Sequence, residues 1–324
     1  MKSITKNINS RLTIGLLLIL CTCIMHGTVF SQTDSTTAVK QSAVSAKPKP
    51  VKNTFESVWI IDNQTALVPV KGSFEMDIMH RFGVVTHGYK DFWGVFAPSN
   101  IRLGVDYAPI KNLYIGIGIT KIDLLWDASA KYAIFTQTPG KWPVSLTYYG
   151  DVAVDTRQDP DGSLFKYSSQ RLSFFNQLII ARKISSKLSV QIAPSISHQN
   201  SVNGYYTGDS AKTLFKEMNF NHFAVAFDVR YKVTRVTSLL FNYDQPLTTH
   251  NTNNPNPNIS LGVEFNTSNH SFQLFFTNYY LLNPQKNNLY NSNNPFGYTN
   301  NATGMKVPGG QFLVGFNITR LWNY

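Results

Sequence analysis

The sequence predicts an all-β protein, an antiparallel transmembrane β-barrel of about twelve strands that follows a signal peptide and a disordered tether. Three observations support this fold class. The amino terminus has the three-part layout of a secretory signal, and stretches with a two-residue hydrophobic period follow one another along the chain. Short and long connections alternate between these stretches.

The predicted signal peptide covers residues 1–31. A basic start precedes an apolar run at residues 12–24, which is too short to span a bilayer comfortably. Cys21 and Cys23 are the two cysteines of the chain, and lipid attachment at one of them is the alternative. That attachment favours a small residue before the cysteine, whereas Leu20 precedes Cys21. After ordinary cleavage no disulfide or thiolate metal site is available.

Residues 32–53 are rich in Ser, Thr, Ala, Lys and Pro, a composition that predicts a disordered linker. Residues 54–72 form a pre-barrel segment whose apolar residues fit neither the helical nor the strand period: Phe55, Val58, Trp59, Ile60 and Ile61. The sequence leaves two placements open for this segment. It either plugs one mouth of the barrel or packs along the rim.

The barrel is predicted over residues 73–324, and residues 101–120 show its repeating unit. Four apolar residues alternate with small or charged ones before a turn at residues 109–112, and the pattern resumes at residues 113–120. The apolar face of this hairpin is uninterrupted, while the other face mixes glycine with charge. This arrangement favours an apolar face that meets lipid. The other predicted strands are residues 73–81, 130–138, 144–153, 171–183, 188–192, 223–231, 239–243, 259–266, 272–276 and 311–320.

Connection lengths provide a second test, because outer-membrane barrels have short periplasmic turns and longer outer loops. Short links are predicted at Pro109, Gly140, Ser185, Val233 and Ser268. Longer links alternate with them at residues 82–100, 155–170, 198–219, 246–258 and 279–309, and residues 122–129 form a link of middling length. The main alternative fold is a secreted soluble β protein, in which short and long connections are not expected to alternate. Both termini are therefore expected in the periplasm of a Gram-negative cell.

Aromatic residues near strand ends are typical of interfacial girdles. The candidates are Tyr107, Trp126, Trp142, Tyr148, Tyr149, Tyr231, Tyr243, Tyr279, Tyr280 and Trp322. The last strand also runs into the terminal residue Tyr324, which resembles the assembly signal of outer-membrane barrels. The expected partners are thus outer-membrane lipid and, through the C-terminal strand, the barrel-assembly machinery.

Net charge and histidine placement exclude several classes of function. The formal net charge is +11, but residues 1–52 hold seven Lys and Arg against the single acid Asp34, so 11 − 6 = +5 remains for the rest. This modest excess does not indicate nucleic-acid binding. The histidines are scattered without the close spacings of a metal site, and no cofactor is predicted. Asparagine-rich runs around Asn253 and Asn291 are predicted to be solvated loop.

Several landmarks together resemble a family of Gram-negative outer-membrane β-barrels with a domain of unknown function. They are residues 80–83 (HRFG), 101–104 (IRLG), 230–232 (RYK), 272–274 (FQL) and 277–278 (TN). The resemblance runs from about Phe55 to the end of the chain. It implies an outer-membrane barrel, and it brings no activity or catalytic residues.

One segment suggests catalysis. His198 and Ser201 could form a base and nucleophile, as in outer-membrane phospholipases. That family, however, spaces its histidine, serine, asparagine and glycine more closely. A polar loop is the better interpretation, so no enzyme is predicted.

Inward-facing charged positions are the candidates for lining a lumen. They are Arg102, Asp106, Asp228, Arg230 and Glu264. About twelve strands should leave a narrow lumen, between the filled interior of small barrels and the open channel of large ones. The sequence therefore favours a narrow passive channel or transport protein for ions or small solutes. The alternatives are a structural or surface-binding barrel without a pore and, third, a membrane-embedded hydrolase.

Overall fold

The computed structural model describes residues 48–206, 213–299 and 304–323. The predicted signal peptide, residues 1–31, and most of the predicted linker, residues 32–53, lie outside the described residues. Twelve barrel strands follow in chain order. They are β1 Phe74–Val84, β2 Asn100–Ile110, β3 Leu113–Thr120, β4 Leu125–Phe135, β5 Ser145–Asp155, β6 Leu172–Lys183, β7 Leu188–Gln199, β8 Asn221–Lys232, β9 Thr237–Pro246, β10 Asn258–Asn266, β11 His270–Thr277 and β12 Leu313–Trp322.

Each barrel strand pairs antiparallel with the next strand in the chain, and β12 pairs with β1 to close the barrel. In the closing pair Asn317 lies opposite Met79, and in the next pair Met79 lies opposite Arg102. Closure removes both sheet edges, so the backbone hydrogen bonds of the wall are satisfied internally. The predicted all-β fold with about twelve antiparallel strands is confirmed.

The wall has an apolar outer face and a polar inner face. In β2, Leu103 and Val105 are exposed outside, whereas Arg102 and Asp106 are buried inside. In β10, Leu261 is 62% exposed while its neighbour Ser260 is 1% exposed. Apolar side chains on the outer face are compatible with lipid, and charged side chains on the inner face avoid the free-energy cost of contacting it.

The links of the barrel sort by length onto its two ends. The short-link end carries residues 111–112, 136–144, 184–187, 233–236 and 267–269, together with both ends of the barrel chain. The long-loop end carries residues 85–99, 121–124, 156–171, 200–206, 213–220, 247–257, 278–299 and 304–312. The link predicted at residues 122–129 is shorter, because the alternation already begins at Leu125.

Proline interrupts one ladder without ending its strand. Strand β7 contains Pro194 and continues past it to Gln199. Pairing with β6 passes from Gln177 opposite Ser195 to Ile180 opposite Ile192, which skips Pro194 because proline has no N–H to donate.

Two of the aromatic residues predicted for the interfacial girdles lie elsewhere. Tyr149 is 3% exposed and Tyr279 is 0% exposed, and both lie in clusters of buried residues. Tyr149 falls on the inward phase of β5, so its position near a strand end does not decide its direction. Tyr107, Trp126 and Tyr148 are exposed on the outer face, as predicted.

The long-loop end carries short regular elements. These are the 3-10 helices Val85–Asp91, Ile122–Leu124 and Ser168–Arg171, the α-helix Pro284–Asn287, and two small strand pairs, Gly204–Tyr206 with Leu214–Lys216 and Tyr298–Thr299 with Lys306–Val307. Within the described ranges, no helix is long and apolar enough to cross a membrane.

Candidate functional site

Residues 54–68, which we call the N-terminal insert, fold into the barrel interior. Strands Trp59–Ile60 and Asn63–Gln64 pair as a two-residue hairpin whose turn is Ile61 and Asp62. Ile61 is fully buried and has φ 58°, a left-handed conformation that a β-branched residue rarely adopts. Such strain persists only where surrounding contacts hold it.

Barrel side chains hold the tip of this hairpin. Gln273 accepts a hydrogen bond from the N–H of Ile61 at 3.0 Å and donates to the carbonyl of Trp59 at 2.8 Å. Asn317 donates to the carbonyl of Ile61 at 2.6 Å. The amides of β11 and β12 thus satisfy the backbone groups that a strand partner would satisfy in a sheet.

Charged contacts hold the same tip. The Asp62 carboxylate forms an ion pair with Arg81, whose side chain is fully buried and also donates to Asn317 Oδ1 at 3.0 Å. The Arg81 guanidinium lies 4.4 Å from the centre of the Phe275 ring. A buried ion pair with these additional contacts is costly to break by removing one partner.

The second strand of the hairpin contacts the opposite wall. Asn63 Nδ2 donates to Asp244 at 2.8 Å and to Asp228 at 3.3 Å. Lys131 donates to Gln64 Oε1 at 2.7 Å, and Gln191 donates to the Gln64 carbonyl at 2.9 Å.

Glu56 fixes the insert at the short-link rim. Its carboxylate forms ion pairs with Arg230 at 2.6 Å and with Lys232 at 2.7 Å. Burial acts to raise the pKa of Glu56, but the hydrogen bonds and positive charges of Lys232 and Arg230 outweigh it and leave the pKa below its usual value. Glu56 is therefore ionised at neutral pH.

Residues 278–291, which we call the loop insert, enter the interior from the long-loop end. Tyr279 packs with Phe55, Ile60 and Ile61 of the N-terminal insert. Leu282 belongs to the same buried cluster as Trp59. The apolar residues at positions 55–61, which follow neither the helical nor the strand period, therefore lie in small buried clusters inside a barrel whose inner face is polar.

Polar residues of the loop insert also reach the wall and the other insert. Lys286 forms an ion pair with Asp123 at 2.6 Å, Asn287 donates to Asp62 at 2.9 Å, and Gln285 donates to Asp151. The two inserts touch each other, so together they fill the middle of the barrel.

The structure places Arg102 and Asp106 inside, as the sequence predicts. Arg102 forms ion pairs with Asp77 at 2.9 Å and Asp127 at 2.5 Å, and its guanidinium lies 5.6 Å from the Trp59 ring. Asp106 is 5% exposed. Both side chains fit because the neighbouring inward positions are glycines, since a Cβ at residues 104 or 118 would collide with Arg102 and one at residue 116 with Asp106.

Asp228, Arg230 and Glu264 also point inward. Arg230 Nε contacts Glu264 at 2.7 Å, and Asp228 accepts from Gln191 at 2.8 Å. In this closed arrangement these side chains contact protein groups. Sequence reasoning missed the amide side chains that hold the insert, above all Gln273, Asn317 and Gln191, although the two-residue period places each of them on the inner face.

The buried ionisable side chains of the wall are mostly acidic, with more than twice as many acids as bases. The acids are Glu75, Asp77, Asp106, Asp127, Asp151, Asp155, Asp228, Asp244 and Glu264, and the bases are Arg81, Arg102, Lys131 and Arg230.

The histidine suspected of catalysis contacts amides. His198 hydrogen-bonds to Asn221 at 2.7 Å and to Asn200 at 3.0 Å. His222 and His250 contact each other at 2.8 Å near the long-loop end. Among the described residues, no group of three or more His, Cys, Asp or Glu side chains is arranged to hold a metal ion.

A sequence profile of a protein family described as "Membrane bound beta barrel domain (DUF5777)" matches residues 55–322. No curated protein matches the chain. Among solved structures, the COG4313 outer membrane channel from Pseudomonas putida F1 is similar at 10% identity and a TM-score of 0.40, over 79% of this chain and 97% of that chain. The outer membrane channel DcaP of Acinetobacter baumannii is similar at 9% identity and a TM-score of 0.32, over 78% and 96%.

Proposed function

Because this chain belongs to the family of membrane-bound β-barrel domains of unknown function, we propose that it is an outer-membrane channel for ions or small solutes whose lumen the N-terminal insert closes. The observation that carries this proposal is the placement of residues 54–68 inside the barrel. Within the described residues, the insert is joined to the wall covalently on its carboxyl side alone, through β1. A segment held in this way can leave the lumen while all twelve strands stay paired.

The barrel lies in the outer membrane with its short-link end in the periplasm. The secretory signal and the loop-length parity support this orientation. The apolar wall then contacts outer-membrane lipid, and the last strand is recognised by the barrel-assembly machinery. Single cysteines at Lys111 and Asn254 test the orientation, since an impermeant thiol reagent on intact cells should label only residue 254. Labelling at residue 111 alone would show that the short-link end faces the outside of the cell instead.

The open lumen prefers cations. Departure of the N-terminal insert opens a lumen along a wall whose buried acids, taken over all twelve strands, outnumber its buried bases. Arg102, Asp106, Asp228, Arg230 and Glu264 then line the lumen. A net negative lining raises the local concentration of cations and lowers that of anions.

Conductance in a planar bilayer tests the closure. The full chain should show rare openings, and a variant lacking residues 55–70 should show frequent discrete currents that select cations. A variant with a deletion of similar length inside the linker, residues 32–47, is the matched control and should behave as the full chain. A change in gel mobility on heating shows for each variant that the barrel is folded.

If the variant lacking residues 55–70 folds but shows no current in the bilayer, the proposal that the protein is a channel is wrong. That outcome favours the second function, a surface-binding barrel without a pore, which one observation supports. The loop insert fills the other half of the interior and is tied to the wall on both sides, so the lumen stays blocked if this loop cannot move.

A further inference from the structure

We propose that a polar pocket at the long-loop end binds a neutral carbohydrate. The pocket has a volume of about 740 Å³ and lies where the loop after β7, the loop after β9 and the loop after β11 converge. This volume is within the range of about 300 to 1,000 Å³ typical of small-molecule sites. The proposal does not depend on whether the barrel conducts.

The lining of the pocket is dominated by amides. Asn203, Asn253, Asn254, Asn256, Asn291, Asn294 and Gln311 contribute to it. Some of these amides already bond within the protein, as Asn254 Nδ2 does to the His250 carbonyl at 3.1 Å and Asn291 Nδ2 to Asn258 Oδ1 at 2.8 Å. The remaining amide N–H donors and carbonyl acceptors match the hydroxyl groups of a sugar, which are themselves both donors and acceptors. Typical drug-sized ligands prefer sites lined mainly by apolar groups, so this lining points to a strongly hydroxylated ligand.

Among the described residues, Asn294 has a donor without a hydrogen-bond partner. The residue is 7% exposed, and its Oδ1 accepts from the N–H groups of Phe296 at 3.1 Å and Gly297 at 3.2 Å. Asn294 is one of the residues that line the pocket, and its buried Nδ2 has no hydrogen-bond partner among the described residues. An unpaired buried donor is costly, and a ligand hydroxyl at this position would remove the cost.

Charge and aromatic content narrow the ligand class further. Glu217 is the acid that lines the pocket, and the described lining contains no Lys, Arg or His. Acidic glycans and phosphates would therefore meet no positive partner here. Tyr290 and Tyr298 provide ring surfaces, and burial raises the pKa of Tyr290 to about 12, so its hydroxyl remains a donor. A neutral sugar ring suits this combination of amides and aromatic faces.

Glycan binding by the full chain in detergent tests the pocket. The probes are an array of neutral oligosaccharides, a matched set carrying sialic acid or sulfate, and purified envelope polysaccharide from the source cells. We expect binding to neutral glycans over acidic ones. Binding to soluble neutral oligosaccharides and binding to the envelope polysaccharide would each support the site. The probe that binds more tightly would identify the source of the ligand.

Two pairs of variants localise the binding. Asn294→Asp keeps Oδ1 but removes the free donor, and Tyr298→Ala removes an exposed ring; each should weaken binding about tenfold. The controls are Asn293→Asp, next in the chain but outside the lining, and Tyr167→Ala, whose ring is 59% exposed against 57% for Tyr298. Silence of the folded protein on all neutral glycans would overturn the proposal, as would equal losses in the variants and their controls.

Discussion

The N-terminal insert and the loop insert fill the same barrel interior from opposite ends, yet the chain holds them differently. In the part of the chain that the structure describes, the N-terminal insert precedes β1 and is bonded covalently to the wall at its carboxyl side alone, whereas the loop insert lies between β11 and β12. Both contribute apolar residues to the same two buried clusters, Ile60 with Tyr279 in one and Trp59 with Leu282 in the other. The two inserts pack in a similar way, but the loop insert is restrained covalently at both ends and therefore has less freedom to move.

The electrostatic contacts of the two inserts differ as well. Asp62 of the N-terminal insert pairs with the fully buried Arg81, and Asn63 contacts two carboxylates of the wall. Lys286 of the loop insert pairs with Asp123, where both side chains retain partial exposure. Buried charge pairs resist the loss of one partner far more strongly than partly exposed pairs do. The N-terminal insert, which we propose as the movable segment, is therefore held by buried charged contacts, and removing one partner of such a contact has a large effect.

The largest effect is expected for Arg81→Met, which keeps an apolar side chain and removes the guanidinium that lies over the Phe275 ring. Asp62 then remains buried without its cation, at a cost of about 3 to 5 kcal/mol. The insert should leave the lumen more often, and the temperature at which the barrel loses its folded gel mobility should fall. Bilayer currents and heat-modified mobility measure the two effects.

The double variant Arg81→Met with Asp62→Asn is the matched control. It removes both charges, so most of the loss should be recovered. A double variant as unstable as the single one would show that Arg81 acts through its contacts with Asn317 and Phe275 instead.

A smaller effect should separate the two inserts directly. Ile60→Ala and Leu282→Ala remove similar buried volumes, since the two side chains are 1% and 4% exposed, at about 2 to 5 kcal/mol each. Both should lower thermal stability. Only Ile60→Ala should increase conductance, because the loop insert stays tied at both ends. Equal currents from the two variants would contradict the assignment of the gate to residues 54–68.

The wall could be predicted from sequence because lipid imposes one simple rule. Leu103 and Val105 must face outward and Arg102 and Asp106 inward, and a two-residue period encodes this locally. The phase of that period also placed Asp228, Arg230 and Glu264 on the inner face. Membership of the membrane-barrel family agrees with this part of the prediction.

The filling of the interior could not be predicted in the same way. The partners of Arg102 include Asp127 and the Trp59 ring, which are distant in sequence and follow no period. Residues 279–309 were interpreted as an ordinary long loop, although Tyr279, Leu282 and Leu289 are apolar and fully buried or nearly so. Apolar residues inside a polar loop were the available signal, and they indicate a segment that folds inward.

The smallest effect concerns the rim and depends on pH. Glu56 has a pKa below its usual value of 4.5 while the insert is docked, because Lys232 and Arg230 stabilise its charge. Its contribution to docking is therefore fully present above about pH 4.5 and is lost as the pH falls through the docked pKa. Since Glu56 is partly exposed, this contribution is about 1 kcal/mol or less, which corresponds to an opening frequency at most about fivefold higher in acid.

Glu56→Gln isolates this contribution from the other carboxylates. The variant should open slightly more often than the natural chain at pH 7. The two should converge as the pH falls through the docked pKa of Glu56, because a protonated Glu56 and the substituted amide both lack the charge that Lys232 and Arg230 bind. Opening frequency recorded from about pH 7 to about pH 3 in bilayers measures the convergence. A constant ratio between the two proteins over that range would show that the ion pairs at the rim do not hold the insert, and would leave its closure to the contacts of Asp62 and Asn63.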